Sequence, residues 1–210
     1  MKKFLSENIK NMPSSGIRKF FDVANTMEGV ISLGVGEPDF ETPWHVREAA
    51  ISSLEKGYTS YSSNTGMIEL RKAIASYLDE KYSISYDPEH QILVTIGASE
   101  GIDISLRAII NPGDEVLVVE PSYVSYKPCV SMCGGVPIPV VTYEENNFKV
   151  TPDEILNKIT PKTKAIILPY PNNPTGGIME IDDLAAISKV IIENDLLVIS
   201  DEIYSELTYG

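Results

Sequence analysis

The sequence has no basic residue after Lys189, although 17 lysines and arginines are spread over the positions up to it. Chemistry at the carboxyl-terminal motifs that needs a primary amine therefore has none close by in sequence. Cysteine is nearly absent: Cys129 and Cys133 have no second pair and no nearby histidine, which excludes a zinc-finger spacing. Four residues apart, they read as buried or half-buried thiols on one helical face rather than as a disulfide. His45 and His90 fall in no ligand or triad spacing. No apolar run approaches the ~20 residues that a membrane span needs. The start, Met1-Lys2-Lys3-Phe4-Leu5, turns polar at Ser6 and lacks the apolar core of a signal peptide, so the expected location is cytoplasmic. Positive charge is scarce as well. A net charge of −13 with scattered basic residues repels a polyanion and argues against nucleic acid as a partner. No internal repeat and no low-complexity tract interrupts the chain.

What is present is a series of β-branched apolar runs at Ile92–Thr95, Val116–Val119, Pro137–Val141, Ala165–Leu168 and Leu196–Ile199. They are nearly continuous rather than alternating, as in strands buried on both faces of a parallel sheet. Between them, Met67, Leu70, Ile74 and Leu78 recur at helical spacing, and so do Leu184, Ile187 and Ile191. Strand, helix, strand in succession predicts βαβ units and an α/β fold with a helix-covered, mostly parallel sheet. Residues 1–42 differ in texture, with Pro13-Ser14-Ser15-Gly16, then Gly34, Gly36 and Pro38, and a short helical stretch near Ile17–Met27. They read as an N-terminal arm and part of a second, smaller domain, with residues 43–210 forming the large domain.

Four segments can carry chemistry. Thr95-Ile96-Gly97-Ala98-Ser99-Glu100-Gly101 marks a strand giving way to a helix, where small residues and unpaired N–H groups can cradle a phosphate. It also fits an ordinary βα turn in which Ser99 caps the helix and Glu100 favours its first turn. In Glu120-Pro121-Ser122-Tyr123 the proline fixes a turn and Tyr123 stands at a strand's carboxyl end, able to stack on a flat heterocycle or simply to cover a core edge. In Pro171-Asn172-Asn173-Pro174-Thr175-Gly176, Asn173 is pushed out of helical geometry and its amide can donate to a phenolate oxygen; a plain Asn-Pro turn is the simpler reading. Asp201 closes the last apolar run, with Tyr204 three residues on. A carboxylate there can hold a pyridine nitrogen protonated, or Asp201 and Glu202 can open a helix.

Taken together these segments resemble the class I/II aminotransferases of fold type I, the aspartate aminotransferase superfamily. Leu33-Gly34-Val35-Gly36-Glu37-Pro38-Asp39-Phe40 with Thr42-Pro43 is similar to that family's N-terminal signature, and Tyr58-Thr59-Ser60-Tyr61 with Gly66 and Glu69-Leu70-Arg71 to its next block. Asn111-Pro112-Gly113-Asp114-Glu115-Val116 is similar to its turn into the second strand. The likeness runs in order from about Ile17 to Gly210.

The resemblance implies a three-layer α/β/α large domain binding pyridoxal 5′-phosphate, and transfer of an amino group between an amino acid and a 2-oxo acid in amino acid metabolism or biosynthesis. By position, the backbone at Ala98 and Ser99, with Glu100, takes the phosphate and Tyr123 stacks on the ring. Asn173 and Tyr204 bond the ring oxygen, Asp201 bonds the ring nitrogen, and Gly36 binds the substrate carboxylate. Tyr61 reaches the phosphate of a neighbouring subunit in a homodimer. Cis peptides are implied before Pro121 and Pro174. A β-lyase or cyclopropane-carboxylate synthase shares these motifs, and a non-catalytic binding or dimerisation module is a further reading.

Family members are longer. Their Schiff-base lysine, the arginine that follows it and a downstream carboxylate-binding arginine have no counterpart up to Gly210, so no catalytic residue is assigned. The 210-residue chain alone is expected to be inactive. The family's next two strands are expected to insert between the strands near Ile92 and Ile166. An isolated chain is therefore expected to be poorly folded, with weakly cooperative urea unfolding, to aggregate, or to pair with another polypeptide.

Overall fold

The computed structural model describes residues 4–12, 23, 26, 27, 29 and 40–208. In chain order the helices and strands are α1 (Glu7–Asn11), α2 (Trp44–Glu55), α3 (Ile68–Tyr82), α4 (Ala98–Ile109), β1 (Glu115–Glu120), α5 (Tyr126–Met132), β2 (Val136–Val141), α6 (Pro152–Leu156), β3 (Thr163–Leu168), α7 (Ile181–Glu193) and β4 (Leu197–Ser200). Two compact units emerge: one of Met1–Pro13 with Ile96–Gly210, the other of Ser14–Thr95. These compact units meet along the chain near Pro13 and Thr95. The expected Ile17–Met27 helix and most of the N-terminal signature, Gly36 included, lie largely outside the described residues.

In the first unit four parallel strands run in the order β2-β1-β3-β4. Alternate residues of β1 and β3 face opposite sides, as the two-residue period of a strand requires. On one face Leu117, Val119, Ile166 and Leu168 pack with Ile155, Ile187, Val190 and Ile191 of α6 and α7. On the other Val116, Val118, Ala165 and Ile167 pack with Ile102 and Leu106 of α4 and with Tyr126, Cys129 and Val130 of α5. Helices on both faces make the α/β/α layering, and they explain why Val116–Val119 and Ala165–Leu168 are continuous apolar runs rather than alternating ones. Cys129 is buried, Cys133 half-buried, and both thiols are free. Burial raises both thiol pKa values, which keeps them unreactive.

Two expectations are corrected. The Ile92–Thr95 run forms no strand among the described residues; the Val94 amide donates once, to the Thr65 carbonyl at 3.1 Å. Apolar, β-branched composition alone does not make a strand, because the backbone needs a neighbouring ladder to pair with. The opening in the sheet is also not beside Ile166. That residue pairs with Leu117 on one side and Val198 on the other, so the exposed edge belongs to β4.

The second unit is built around α2 and α3. Arg71 of α3 is its one buried charged side chain among the described residues. Its guanidinium donates to the carbonyls of Gly66 (3.2 Å), Pro88 (2.7 Å) and Glu89 (3.1 Å), tying two loops to one helix. A planar fork of N–H donors lets a buried guanidinium be satisfied by carbonyls of both loops. No helix among the described residues is long and apolar enough to cross a membrane.

Candidate functional site

All four strands point their carboxyl ends the same way, and the segments that follow them converge there. A cavity of about 250 Å³ opens at that end of the sheet, within the first unit. Ala98, Ser99, Tyr123, Asn173, Asp201 and Tyr204 all line it, with Ile96, Ile102, Tyr126 and Ile203 adding apolar and phenolic wall. Open α/β sheets place ligands at this end because side chains from several loops meet there without interrupting the ladder.

The start of α4 forms one wall. Gly97 takes φ +81° with open space where a Cβ would stand, so its backbone conformation, not crowding, favours glycine. The first bond of the helix runs from Gly101 N–H to Gly97 O at 3.4 Å, leaving the amides of Ala98, Ser99 and Glu100 ahead of the helical ladder. Glu100 lies in the first turn of the helix, as the ordinary-turn reading expects, but the Ser99 cap of that reading is not formed. Ser99 does not cap the helix, since the cap residue is Gly97 and no side chain performs that role. The Ser99 hydroxyl instead shares a 3.4 Å hydrogen bond with the Tyr123 phenol. Glu100 turns back, and its carboxylate accepts from the Ile96 amide. The Glu100 side chain is thus occupied away from the cavity lining.

Asn173 and Tyr204 meet: the asparagine Nδ2 donates to the phenol oxygen at 3.2 Å. The peptides before Pro121, Pro171 and Pro174 are cis, which adds Pro171 to the two expected positions. Asp201 follows β4 and opens no helix; residues 203–206 form a turn, with the Ile203 amide donating to Asp201 Oδ1 at 3.2 Å. The Asp201 amide donates to Leu168 O at 2.9 Å, continuing the β3–β4 pairing by one residue.

Two side chains escaped sequence reasoning. Tyr126, only 2% exposed, donates from its phenol to Asp201 Oδ2 at 2.7 Å. Burial and then the Asp201 carboxylate push the Tyr126 phenol well above its ordinary pKa, so it stays a donor. Neighbouring Tyr123, set edge-on to Tyr126 with ring centroids 5.7 Å apart, is shifted the other way by hydrogen bonds from Ser125 and then Ser99. Asn172, 5% exposed, donates from Nδ2 to Pro121 O at 3.1 Å and accepts the Thr175 amide at 3.4 Å. It joins the turn after β1 to the turn after β3. Tyr61 lies in the Ser14–Thr95 unit, fully exposed and outside the cavity lining.

The donor set suits a flat, phosphorylated heterocycle. Apolar and aromatic walls cover a ring, a helix start offers amides and a positive dipole end to a dianion, and one carboxylate stands ready for a cationic ring nitrogen. Among the described residues no lysine or arginine lines the cavity, and the amides at the start of α4 are available to an anion there.

The sequence profile described as "Aminotransferase class I and II" matches residues 28–210. The chain belongs to the class I and II aminotransferases. The Bacillus subtilis (strain 168) protein YugH is 50% identical over 209 residues, covering 100% of this aminotransferase chain and 54% of its own length. "Aromatic-amino-acid aminotransferase 2" of Thermococcus litoralis is 44% identical over 205 residues, covering 98% and 53%. Among solved structures, the aspartate aminotransferase from Thermus thermophilus with maleate superposes with a TM-score of 0.91 at 38% identity, covering 98% of this chain and 55% of that one. The chain spans about half the length of the curated relatives it matches and corresponds to their N-terminal portion. The matched structures share its α/β architecture.

Proposed function

We propose that this chain supplies the ring- and phosphate-binding part of a pyridoxal-phosphate-dependent aminotransferase, which moves an amino group between an amino acid and a 2-oxo acid. The observation that carries the reading is the meeting of Asn173, Tyr204 and Asp201 in one cavity with the α4 amino terminus and Tyr123. Pyridoxal phosphate, when bound, supplies an electron-accepting pyridinium ring. Asp201 holds the proton on the ring nitrogen. Asn173 Nδ2 and the Tyr204 phenol bind the ring oxygen, Tyr123 covers a ring face, and the amides of Ala98 and Ser99 take the phosphate. Family membership supports the same assignment. The parent is read as a cytoplasmic homodimer, with Gly36 and the partner-facing Tyr61 serving substrate and phosphate, and with residues 43–210 in its large domain.

The test is equilibrium binding of pyridoxal 5′-phosphate to the purified chain, followed by fluorescence and dialysis. One saturable site is expected. Asp201→Asn, which removes a charge but keeps the shape, is expected to weaken it by about tenfold or more, the worth of a charged hydrogen bond. Absence of saturable binding, or an unchanged dissociation constant in Asp201→Asn, overturns the reading.

A further inference from the structure

Asp201 is only half-buried and follows the edge strand, yet it is the one carboxylate lining the cavity among the described residues. One of its oxygens, Oδ1, is turned to the backbone and accepts the Ile203 amide. The other meets a phenol that arrives from α5, 75 residues earlier in sequence. We infer that Tyr126 is a positioning residue: its buried phenol fixes the direction of the Asp201 carboxylate and couples that carboxylate to the Tyr123 ring wall.

The geometry carries this in three steps. Tyr126 is itself locked, because its ring packs among Ile102, Val118, Val130 and Ile167 on the α4–α5 face of the sheet. A locked donor at 2.7 Å restricts the carboxylate to one orientation, whereas an exposed carboxylate beside a turn samples several. The same ring meets Tyr123 edge-to-face at 80°, so a shift of Tyr126 moves the carboxylate and the stacking wall together. The titratable groups sharing the cavity with this carboxylate among the described residues are phenols: Tyr126 on α5, Tyr123 ahead of it and Tyr204 on the turn. Glu202 is next in sequence, and its Oε1 accepts from Ser200 Oγ at 2.8 Å. No cation lines the cavity among the described residues, and the Tyr126 hydroxyl and the Ile203 amide are the donors that orient the carboxylate.

The part concerning ligand binding rests on the proposed pyridoxal-phosphate reading; the part concerning Asp201 itself does not. Two measurements separate them. In the ligand-free chain, side-chain NMR couplings of Asp201 read its rotamer distribution and hence the direction of its carboxylate. Tyr126→Phe removes one hydroxyl from an otherwise unchanged ring and is expected to spread Asp201 from one rotamer over two or more, the loss of a directional hydrogen bond. An unchanged Asp201 rotamer distribution overturns the inference whatever the cavity binds. In the second measurement, pyridoxal 5′-phosphate is titrated into the wild type, Tyr126→Phe, Asp201→Asn and the double variant. If Tyr126 acts through Asp201, Tyr126→Phe weakens binding by about fivefold to thirtyfold in the wild-type background and has little effect when Asp201 is already asparagine. Equal losses in both backgrounds assign Tyr126 a merely structural role and overturn the coupling. A wild type that binds no pyridoxal phosphate sinks the proposed function, and the ligand-free rotamer measurement still decides the inference.

Discussion

The centre and the edge of the sheet are built on different principles. Leu117 and Ile166, on β1 and β3, are 0% exposed, whereas Leu197 and Val198 of β4 are 46% and 39% exposed. β1 and β3 each have two neighbouring strands and helices on both faces; β4 pairs only with β3 among the described residues. Yet β4 leads directly into Asp201, on which the proposed chemistry depends most. Packing holds the centre, while discrete polar tethers hold the functional edge: Asp201 N–H to Leu168 O, and Tyr126 Oη to Asp201 Oδ2. Packing is stiff but indifferent to direction, and a hydrogen bond is weaker but directional, so a carboxylate can be aimed accurately from a poorly buried strand.

The sharpest way to break this contrast is to truncate one residue on each side of it. Leu117→Ala removes side-chain atoms from a site that cannot collapse and is expected to cost about 3 kcal/mol, within the range for buried leucines. Leu197→Ala, on an exposed edge, is expected to cost about 1 kcal/mol or less. Shifts in the urea midpoint check both. Comparable losses would mean that β4 is covered by something with the properties of a core, and the contrast would fall.

Asn172 sits where the centre hands over to the site, so its removal asks whether tethers matter there too. Asn172→Ala leaves the Pro121 carbonyl and the Thr175 amide without their side-chain partner. A loss of about 2 kcal/mol is expected, because buried polar groups are then unpaired. A second consequence follows from geometry. Tyr123 follows the Pro121 turn and Asn173 the partner turn, so their separation is expected to vary more once the staple is gone. Weaker pyridoxal phosphate binding accompanying the stability loss bears that out; unchanged affinity shows that the two turns hold their positions independently.

These contrasts also explain what the sequence disclosed. The runs at Val116–Val119 and Ala165–Leu168 are legible as strands because burial on both faces imprints composition locally. The same composition at Ile92–Thr95 misleads, since no ladder forms there. Asn173, Tyr204 and Asp201 are legible because each sits in a short, recognisable segment at a strand end. Tyr126 and Asn172 are not, because their partners lie 75 and 51 residues away and their local sequence is that of a helix and an ordinary turn. Which oxygen a phenol finds across a sheet is a tertiary fact. Ser99 illustrates the converse: its local pattern suits a cap, but the fold presents the Tyr123 phenol instead.

The smallest expected effect concerns the helix that carries the chain from centre to edge. At the start of α7, Asp183 Oδ2 accepts from Lys149 Nζ at 2.6 Å and from the Glu180 amide at 2.9 Å. The Lys149 hydrogen bond, then the Glu180 amide, lower the Asp183 pKa below its ordinary value. A carboxylate depressed in the folded state adds stability that is fully present above its unfolded value of roughly 4 and is lost as pH falls through the folded value. The apolar contacts at the centre contain no group that titrates in this range. Acidification from neutral pH to below about 4 is therefore expected to lower amide protection in α7 and β4 before it affects the middle of β1 and β3. Asp114, depressed by the Asn111 amide and then Lys164, gives the same sign at the entrance to β1. The Asp183→Asn variant isolates the edge from that contribution. Its protection at β4 is expected to depend less on pH than the wild type's, while protection at β1 keeps the wild-type dependence. Parallel profiles at both strands would place the acid sensitivity of this sheet at its centre and reverse the division between packed core and tethered edge.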